Sequence, residues 1–264
     1  MAEADAIETR LQATDDGAIL FDAQAVAQAP RFANEWFAPD YWHARGSAQS
    51  GGGGRGGITY ARSAFGEWAL RHYRRGGMVA RFMGERYLWT GAERTRGFSE
   101  YRLLAALFAR GLNVPRPVAA RYRRRGAYYQ ADLITRVIPE AWPLAQRLAH
   151  EGIDSTLARR VGAGLAPLHA AGAYHADLNA GNVLIDPREV WLIDFDRGEL
   201  RTPQRGWQQE NLARLRRSLV KLGAARRGEA KFEHEIWQPL VASYDDALAS
   251  ANPAVSASLG APGR

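Results

Sequence analysis

The stretch Tyr174–Asp196, which reads YHADLNAGNVLIDPREVWLIDFD, is the most informative part of this chain of 264 residues. It contains a His-x-Asp-Leu-x-x-x-Asn element in which Asp177 and Asn182 are five positions apart. An apolar run follows and ends at Asp194. The sequence therefore places two carboxylates and one carboxamide on a loop and at the end of a nearby strand.

These residue types, in this order, are what ATP-driven phosphoryl transfer requires. One carboxylate orients the acceptor hydroxyl, while a second carboxylate and a carboxamide hold Mg²⁺. The spacing of Asp177 and Asn182 is that of the catalytic loop in protein-kinase-like enzymes. The alternative is a simple turn between two strands, because Asn, Asp and Gly favour turns. The pattern has two parts, the His-x-Asp-Leu-x-x-x-Asn element and the apolar run that ends at Asp194. Because both occur in the right order, joined by a short hairpin, they favour the kinase interpretation.

Each residue of this element receives a predicted role. Asp177 is the predicted catalytic base, or at least the group that orients the acceptor hydroxyl, because an alcohol is a poor nucleophile. Asp194 is the predicted principal Mg²⁺ ligand, since hard cations prefer carboxylate oxygen, and Asn182 is a further metal ligand. His175 is predicted to be structural, with its ring packed near Phe195 and bonded to the backbone.

The composition is that of a soluble globular protein, with 46% hydrophobic and 24% charged residues. No apolar run approaches the roughly 18 residues that are needed to cross a bilayer. The opening MAEADAIETR is acidic and differs from a secretory signal, which has an apolar centre. The chain contains no cysteine, which excludes disulfides and thiolate metal sites and fits a reducing cytosol.

The net charge of +7 and the pI near 10.0 favour an anionic partner. In a kinase this partner is ATP, and an acidic membrane surface or nucleic acid is a further candidate. All but two of the 35 basic residues are arginines, a skew that codon bias can produce. Because the basic residues are spread along the chain and do not form one patch interleaved with aromatic residues, no nucleic-acid partner is expected.

The order of the elements predicts an α+β, bilobal protein-kinase-like fold. Residues 1–138 are expected to form a β-rich N-terminal lobe, residues 139–250 a mainly helical C-terminal lobe, and residues 251–264 a disordered tail. A helix is expected to begin near Ser99, which is a suitable N-cap residue. The other predicted elements are strands at 67–73, 118–123, 128–137, 183–185 and 190–193, and helices at 154–171, about 208–222 and about 233–248.

The region before the first of these strands is rich in aromatic residues and then in glycine. The aromatic residues are predicted to pack onto a sheet; they are Phe32, Trp36, Phe37, Tyr41 and Trp42. The glycine-rich run Gly46–Ser63 fits a hairpin over phosphates, because glycine lets backbone N–H groups approach closely. Its candidate cofactor-binding residues are Gly54, Gly56 and Gly57. A flexible linker is the alternative for this run.

Protein kinases place a lysine on the strand after the glycine-rich loop and pair it with a glutamate on the next helix. This chain has no lysine before Lys221, and Arg71 stands at the expected position. Glu100, at the start of the following helix, is the predicted partner. Arginine can bind both phosphate and carboxylate through its planar fork. The alternatives are an exposed strand arginine, or a phosphate contact from one of three neighbours: His72, Arg74 or Arg75.

Four blocks of the sequence resemble the bacterial lipopolysaccharide kinase superfamily, and most closely the 3-deoxy-D-manno-octulosonic acid (Kdo) kinase family. They are LRHYRRGG at 70–77, GLNVPRP at 111–117, YHADLNAGN at 174–182 and LIDFDRG at 192–198. The catalytic-loop blocks mark any kinase of this fold. The first block, with arginine at the lysine position, is the one that indicates the Kdo kinases.

The resemblance implies a phosphotransferase that uses ATP and Mg²⁺ in lipopolysaccharide core biosynthesis. Its implied substrate is the 4-hydroxyl of Kdo on a lipid A precursor, Kdo-lipid IVA. The implied location is the cytoplasmic face of the bacterial inner membrane, where the protein would be peripheral and would contact an anionic membrane surface.

Two departures from the protein-kinase pattern favour a saccharide or small acceptor. Ala176 replaces the arginine that reads a phosphorylated activation loop, and Asp196 replaces the glycine of Asp-Phe-Gly. The segment 197–209 is too short for a peptide-docking activation segment. The rival functions are a kinase of the same fold that acts on a core heptose, an aminoglycoside or another soluble sugar, and a non-catalytic pseudokinase. The intact aspartates and asparagine of the catalytic element argue against the pseudokinase.

Overall fold

The computed structural model describes residues 6–50, 57–74 and 86–251. The chain divides into two compact units. Unit 1 consists of Met1–Gly111 and Pro115–Ile138, and unit 2 consists of Leu112–Val114 and Pro139–Arg264. The functions assigned to the two predicted lobes stay predictions. The predicted tail, from residue 252 onward, lies outside the described residues.

The described part of unit 1 is built on an antiparallel sheet of eight strands. The strands are β1 (Thr9–Thr14), β2 (Gly17–Asp22), β3 (Ala48–Ser50), β4 (Thr59–Ser63), β5 (Gly66–His72), β6 (Tyr87–Leu88), β7 (Pro117–Arg125) and β8 (Tyr128–Arg136). Their order is β1-β2-β7-β8-β5-β4-β3, and β6 pairs with β8. The three strands predicted in this unit are confirmed as β5, β7 and β8, whereas β1 and β2 were not predicted.

Register within the sheet sets which way the residues of β5 point. Arg71 pairs with Leu133 and His72 pairs with Asp132 on β8. Because successive side chains of a strand point to opposite faces, Arg71 and His72 lie on opposite sides of the sheet.

Helix α2 (Arg96–Phe108) packs on the face of the sheet that carries Arg71. It begins before Ser99, so the predicted start was wrong: Ser99 lies inside the first turn and its hydroxyl donates to the carbonyl of Glu93 at 2.9 Å. Gly97 allows the helix to approach the sheet closely, since a Cβ atom there would lie 2.9 Å from the carbonyl oxygen of Asp132.

The aromatic residues before the glycine run pack against the opposite face, as predicted. Trp36 and Phe37 lie on the 3₁₀ turn Asn34–Phe37, Tyr41 and Trp42 lie on helix α1 (Pro39–His43), and Phe32 lies just before the turn. They gather around Trp68 of β5, which is fully buried. The ring centroids of Phe32 and Trp42 lie 5.9 Å and 5.6 Å from that of Trp68.

Unit 2 is mainly helical. Its helices are α3 (Leu144–His150), α4 (Ser155–Ala170), α5 (Arg205–Lys221), α6 (Glu229–Phe232) and α7 (Gln238–Ala251). Short antiparallel strands accompany them: β9 (Trp142–Pro143), β11 (Val183–Ile185) and β12 (Val190–Leu192) form one sheet, and β10 (Ala173–Tyr174) pairs with β13 (Glu199–Leu200). Among the described residues, no helix is both long and apolar enough to cross a membrane.

The helices predicted in this unit are present with shifted ends. Helix α4 agrees within one residue at each end, and its N-cap Asp154 accepts a hydrogen bond from the N–H of Leu157 at 2.7 Å. Gly172 follows it at φ +82°, a left-handed conformation that glycine adopts without strain. The last predicted helix differs most, because a π-helical turn at Glu233–Trp237 joins α6 to α7.

Helices α4 and α7 meet at Gly162. A Cβ atom at this position would lie 2.0 Å from the main-chain oxygen of Leu240, so the two backbones touch where the glycine has no side chain.

Gly162→Ala should therefore lower the free energy of unfolding by about 1–3 kcal/mol, because the helices must move apart to admit the methyl group. The matched control is Gly206→Ala in the first turn of α5, where a Cβ atom would meet nothing within 4 Å. The control should be neutral or stabilising by up to about 1 kcal/mol, since alanine favours helix more than glycine. Urea unfolding of both variants measures the difference, and equal effects would contradict the close contact.

Candidate active site

The predicted catalytic loop, residues 175–182, joins β10 to β11, and two of its side chains bond to the main chain of Asp177. The side-chain N–H₂ of Asn182 donates to the carbonyl oxygen of Asp177 at 2.9 Å. Asn179 donates to the same oxygen and to the Asp177 carboxylate, both at 3.1 Å. Asp177 and Asn182, which the sequence predicts as base and metal ligand, are therefore joined by one direct hydrogen bond.

His175 connects this loop to the strand end that carries Asp194. Its ring is fully buried and lies 4.9 Å from the ring of Phe195. The N–H of Asp177 donates to its Nδ1 at 3.1 Å, and its Nε2 lies 2.9 Å from the carbonyl oxygen of Ile193. A main-chain N–H can only donate, so Nδ1 is the acceptor and Nε2 carries the proton. The structural role predicted for His175 is confirmed.

Burial lowers the pKa of His175 below its usual value. The hydrogen bond to Ile193 and the negative charges of Asp194 and Asp177 act in the opposite direction and offset only part of this effect. Burial therefore favours the neutral ring, while both carboxylates act on the same imidazole in the opposite direction.

Asp194 is held in an uncommon backbone conformation. Its φ is +62°, in the left-handed region that residues other than glycine seldom adopt. The preceding N–H, that of Ile193, donates to the carbonyl oxygen of Asn182 at 3.0 Å and fixes the strand end against the loop. Such strained positions gather at functional sites, which is consistent with the role predicted for Asp194.

In unit 1, Arg71 and Glu100 form the predicted ion pair. A guanidinium nitrogen of Arg71 lies 2.5 Å from the carboxylate of Glu100, which is only 2% exposed. Tyr73 completes the group: its hydroxyl donates to the same carboxylate oxygen at 2.6 Å, and its ring lies 4.4 Å below the guanidinium. Sequence reasoning missed Tyr73, although it stands two residues after Arg71 and therefore points to the same face of the sheet.

The match to one known family spans both the loop residues of unit 2 and the Arg71–Glu100 group of unit 1. The family model described as "Lipopolysaccharide kinase (Kdo/WaaP) family" matches residues 39–244. The chain belongs to the lipopolysaccharide kinase (Kdo/WaaP) family. Membership in this kinase family makes the chain a phosphotransferase with an alcohol group as acceptor, the class of enzyme that the sequence predicts.

Individual relatives of this kinase align over most of their length. A 3-deoxy-D-manno-octulosonic acid kinase of Stenotrophomonas maltophilia (strain R551-3) is 44% identical, over 82% of this chain and 84% of its own. The protein of the same name from Xylella fastidiosa (strain M12) is 41% identical, over 87% and 90%. A solved structure, WaaP in complex with acyl carrier protein, has a TM-score of 0.48 and 15% identity over 84% of this chain and 88% of that one.

The donor atoms in unit 2 fit a Mg²⁺ ion that is bound together with phosphates. The described residues contain no group of three or more His, Cys, Asp or Glu side chains that could hold a metal by themselves. Magnesium in kinases takes one or two protein ligands and completes its shell with phosphate oxygens and water. Asp194 offers a carboxylate for this purpose, and Asn182 keeps its amide oxygen for a cation because its N–H₂ is bonded to Asp177.

Helix α5 supports the catalytic loop in a way that the sequence analysis missed. Asn211 accepts a hydrogen bond from the N–H of His175 at 3.2 Å, and Ser218 accepts one from the N–H of Ala180 at 3.1 Å. Between them, a guanidinium nitrogen of Arg214 lies 4.0 Å from the carboxylate of Asp177. The signal was available in the sequence, because polar residues at 211, 214 and 218 share one helical face.

The alternative phosphate-binding residues around Arg71 differ in position. His72 points to the opposite face, where its Nδ1 lies 2.6 Å from the buried carboxylate of Asp132. Burial raises the pKa of Asp132, but the hydrogen bond to His72 and the charge of Arg121 outweigh it and lower the pKa. Arg75 lies outside the described residues, as do two of the three candidate glycines, Gly54 and Gly56. The third, Gly57, is exposed, and a Cβ atom there would meet nothing within 4 Å.

The buried neutral state of His175 predicts a pH dependence of stability. Because its pKa in the folded state is lowered from 6.5, the unfolded state takes up the proton first, so stability is lost as the pH falls below about 6.5. His175→Gln should make the unfolding free energy depend less steeply on pH in this range, by up to about 1.4 kcal/mol per pH unit. Denaturant unfolding at several pH values measures this, and His234→Gln, at an exposed histidine, should leave the slope unchanged.

Nitrogen chemical shifts of the wild-type imidazole test the same point without a variant. They should show a protonated Nε2 and an unprotonated Nδ1 even below pH 6.5, because the pKa is lowered from that value. A ring that takes up its second proton at the ordinary histidine pKa would contradict the assignment.

Proposed function

We propose that this kinase transfers the γ-phosphate of ATP, with Mg²⁺, to the 4-hydroxyl of Kdo on Kdo-lipid IVA, a lipid A precursor, in lipopolysaccharide core biosynthesis. The catalytic loop is the observation that carries the proposal, because it presents Asp177 beside Asn182 on a backbone fixed by His175. Relatives named 3-deoxy-D-manno-octulosonic acid kinase, 41% to 45% identical, support Kdo as the acceptor over a heptose or a soluble sugar.

Asp177 is the proposed base. Its side chain is 65% exposed, so an acceptor hydroxyl can reach the carboxylate. The carboxylate aligns the hydroxyl and receives its proton late in the transfer, when the oxygen has begun to bond to phosphorus. Arg214, 4.0 Å away, holds a positive charge beside the place where the anionic acceptor must lie.

Asp194 and Asn182 are the proposed Mg²⁺ ligands, and Arg71 is the proposed phosphate-binding cation. When bound, Mg²⁺ neutralises the charge that develops on the phosphate oxygens. Glu100 and Tyr73 fix the Arg71 side chain from two sides, so that its direction is set before nucleotide arrives. Glu100 and the candidate glycines Gly54, Gly56 and Gly57 thus complete the proposed cofactor-binding set.

The proposed location is the cytoplasmic face of the bacterial inner membrane, with the protein bound peripherally. The acceptor is a lipid, so the enzyme must meet the bilayer to reach it. The net charge of +7 supports this proposal, because the cytoplasmic leaflet is anionic.

A transfer assay with radiolabelled ATP tests the function. Label should enter Kdo-lipid IVA and not a heptose-bearing core acceptor that lacks a free Kdo 4-hydroxyl. Preferential labelling of the heptose acceptor would show that Kdo is not the substrate.

The variant Asp177→Asn tests the proposed base in the same assay. It should lower kcat by roughly 10²–10⁴, the usual contribution of general acid–base catalysis, and leave nucleotide affinity almost unchanged. If the variant kept more than about a tenth of wild-type activity, Asp177 would not be the base.

Substitution of Arg71 tests the phosphate contact. Arg71→Ala should lower kcat/KM for ATP by about 10- to 100-fold, the size expected for a hydrogen bond between charged groups, and Arg71→Lys should restore part of it. The matched control is Arg62→Ala on the neighbouring strand, where the side chain is 79% exposed and its ion pair with Glu67 is 3.6 Å long. If Arg62→Ala cost as much as Arg71→Ala, the phosphate role of Arg71 would be wrong.

A further inference from the structure

Unit 2 contains an open cavity of about 730 Å³ away from the catalytic loop. It lies between the connection of α3 to α4 and the segment that follows α5. Its apolar wall consists of three side chains: Ile153, Phe232 and Ile236. Three cations also belong to the lining: Arg226, Arg227 and Lys231. The cavity therefore offers both apolar and positively charged side chains.

The carboxylates of the cavity already have partners. Glu151 pairs with Arg147 at 2.8 Å, and Glu235 lies 3.6 Å from Lys231. The third carboxylate, that of Asp154, caps helix α4. Arg226 and Arg227, by contrast, form no ion pair with any described residue, and both are exposed. The cavity thus carries an uncompensated positive charge.

The same cations belong to a basic segment, residues 221–231. It holds both lysines of the chain and two arginines, and its single carboxylate, that of Glu229, is bonded to Arg216. Leu222 lies in this segment and is 42% exposed. A cluster of cations with an exposed leucine beside an apolar wall is the combination that binds an anionic bilayer surface.

We propose that this surface, the cavity together with residues 221–231, docks on an anionic phospholipid bilayer. The phosphate of a lipid headgroup lies against the guanidinium groups of Arg226 and Arg227, which match phosphate oxygens in geometry and charge. The glycerol and the first part of the acyl chains lie along Ile153 and Ile236. A soluble phosphate would leave that apolar wall unused. The proposal rests on the peripheral location proposed above and specifies the surface responsible.

Helix α5 relates this surface to the catalytic loop within unit 2. Arg214 of α5 lies beside Asp177, and the helix ends at Lys221, next to the basic segment. With a rise of 1.5 Å per residue, Leu222 lies about 12 Å from Arg214 along the helix direction. Docking through the segment would thus bring the catalytic loop within the reach of a sugar that projects from the membrane surface.

Vesicle cosedimentation with charge-matched variants tests the proposal. Wild-type protein should bind phosphatidylcholine–phosphatidylglycerol vesicles at low salt and bind pure phosphatidylcholine vesicles much more weakly. Arg226→Glu combined with Arg227→Glu should weaken binding to the anionic vesicles about thirty-fold or more, the loss of two side chains near the leaflet. The control, Arg31→Glu combined with Arg188→Glu, changes the net charge equally at two other exposed arginines and should stay near wild type.

Each outcome decides a separate point. If both double variants lose vesicle binding equally, or if Arg226→Glu/Arg227→Glu binds vesicles as strongly as the wild type, the assignment of this surface is wrong. The proposed membrane location is unaffected by either result. Absence of wild-type binding to anionic vesicles overturns the location itself. Complete competition by soluble glycerol 3-phosphate would reassign the cavity to a free phosphorylated molecule. Transfer to detergent-dispersed acceptor should be unchanged in the Arg226→Glu/Arg227→Glu variant, which separates this proposal from the kinase function and shows that the variant is folded.

Discussion

The catalytic loop depends on one buried imidazole. His175 accepts a hydrogen bond from the N–H of Asp177 and donates one to the carbonyl of Ile193, so a single ring fixes the main chain at both carboxylates proposed for the reaction, those of Asp177 and Asp194. Only the neutral ring with its proton on Nε2 can make both bonds, because a protonated Nδ1 would face another donor. The burial that lowers the pKa of His175 therefore also maintains the geometry, against the field of the two aspartates that would charge the ring.

Unit 1 contains a buried carboxylate that stability alone does not explain. Removing the charge of Glu100 from water costs several kcal/mol, and the bonds from Arg71 and Tyr73 compensate for this cost. Apolar side chains of similar volume would stabilise such a site about as well. The ion pair is better understood as a device that sets the direction of the Arg71 guanidinium, which supports its proposed role toward phosphate.

The sequence predicted the arrangement of Asp177 and Asn182 on one loop better than it predicted the ends of the helices and strands. The spacing of Asp177 and Asn182 is a local property of one loop, so the sequence alone contains it. The start of α2 was missed because Ser99, a good N-cap by type, instead bonds to the carbonyl of Glu93 within the first turn. Strands β1 and β2, Tyr73 as a partner of Glu100, and the support from α5 depend on contacts between distant segments, and residue type does not define those contacts. Gly54 and Gly56 lie outside the described residues, so their role stays a prediction.

Arg71, which stands where protein kinases have a lysine, needs different contacts from its neighbours to be held in place. A lysine ammonium is a compact charge on a flexible stem, whereas a guanidinium is a plane with five donors and a face. On β5 one edge of that plane bonds to Glu100, and its face lies over the ring of Tyr73. Tyr73 in turn bonds to Glu100, so the three side chains fix one another. A lysine would lose the stacking and most of the directional bonding. The arginine and tyrosine of the LRHYRRGG block therefore act as one unit, which gives a physical reason for their occurrence together.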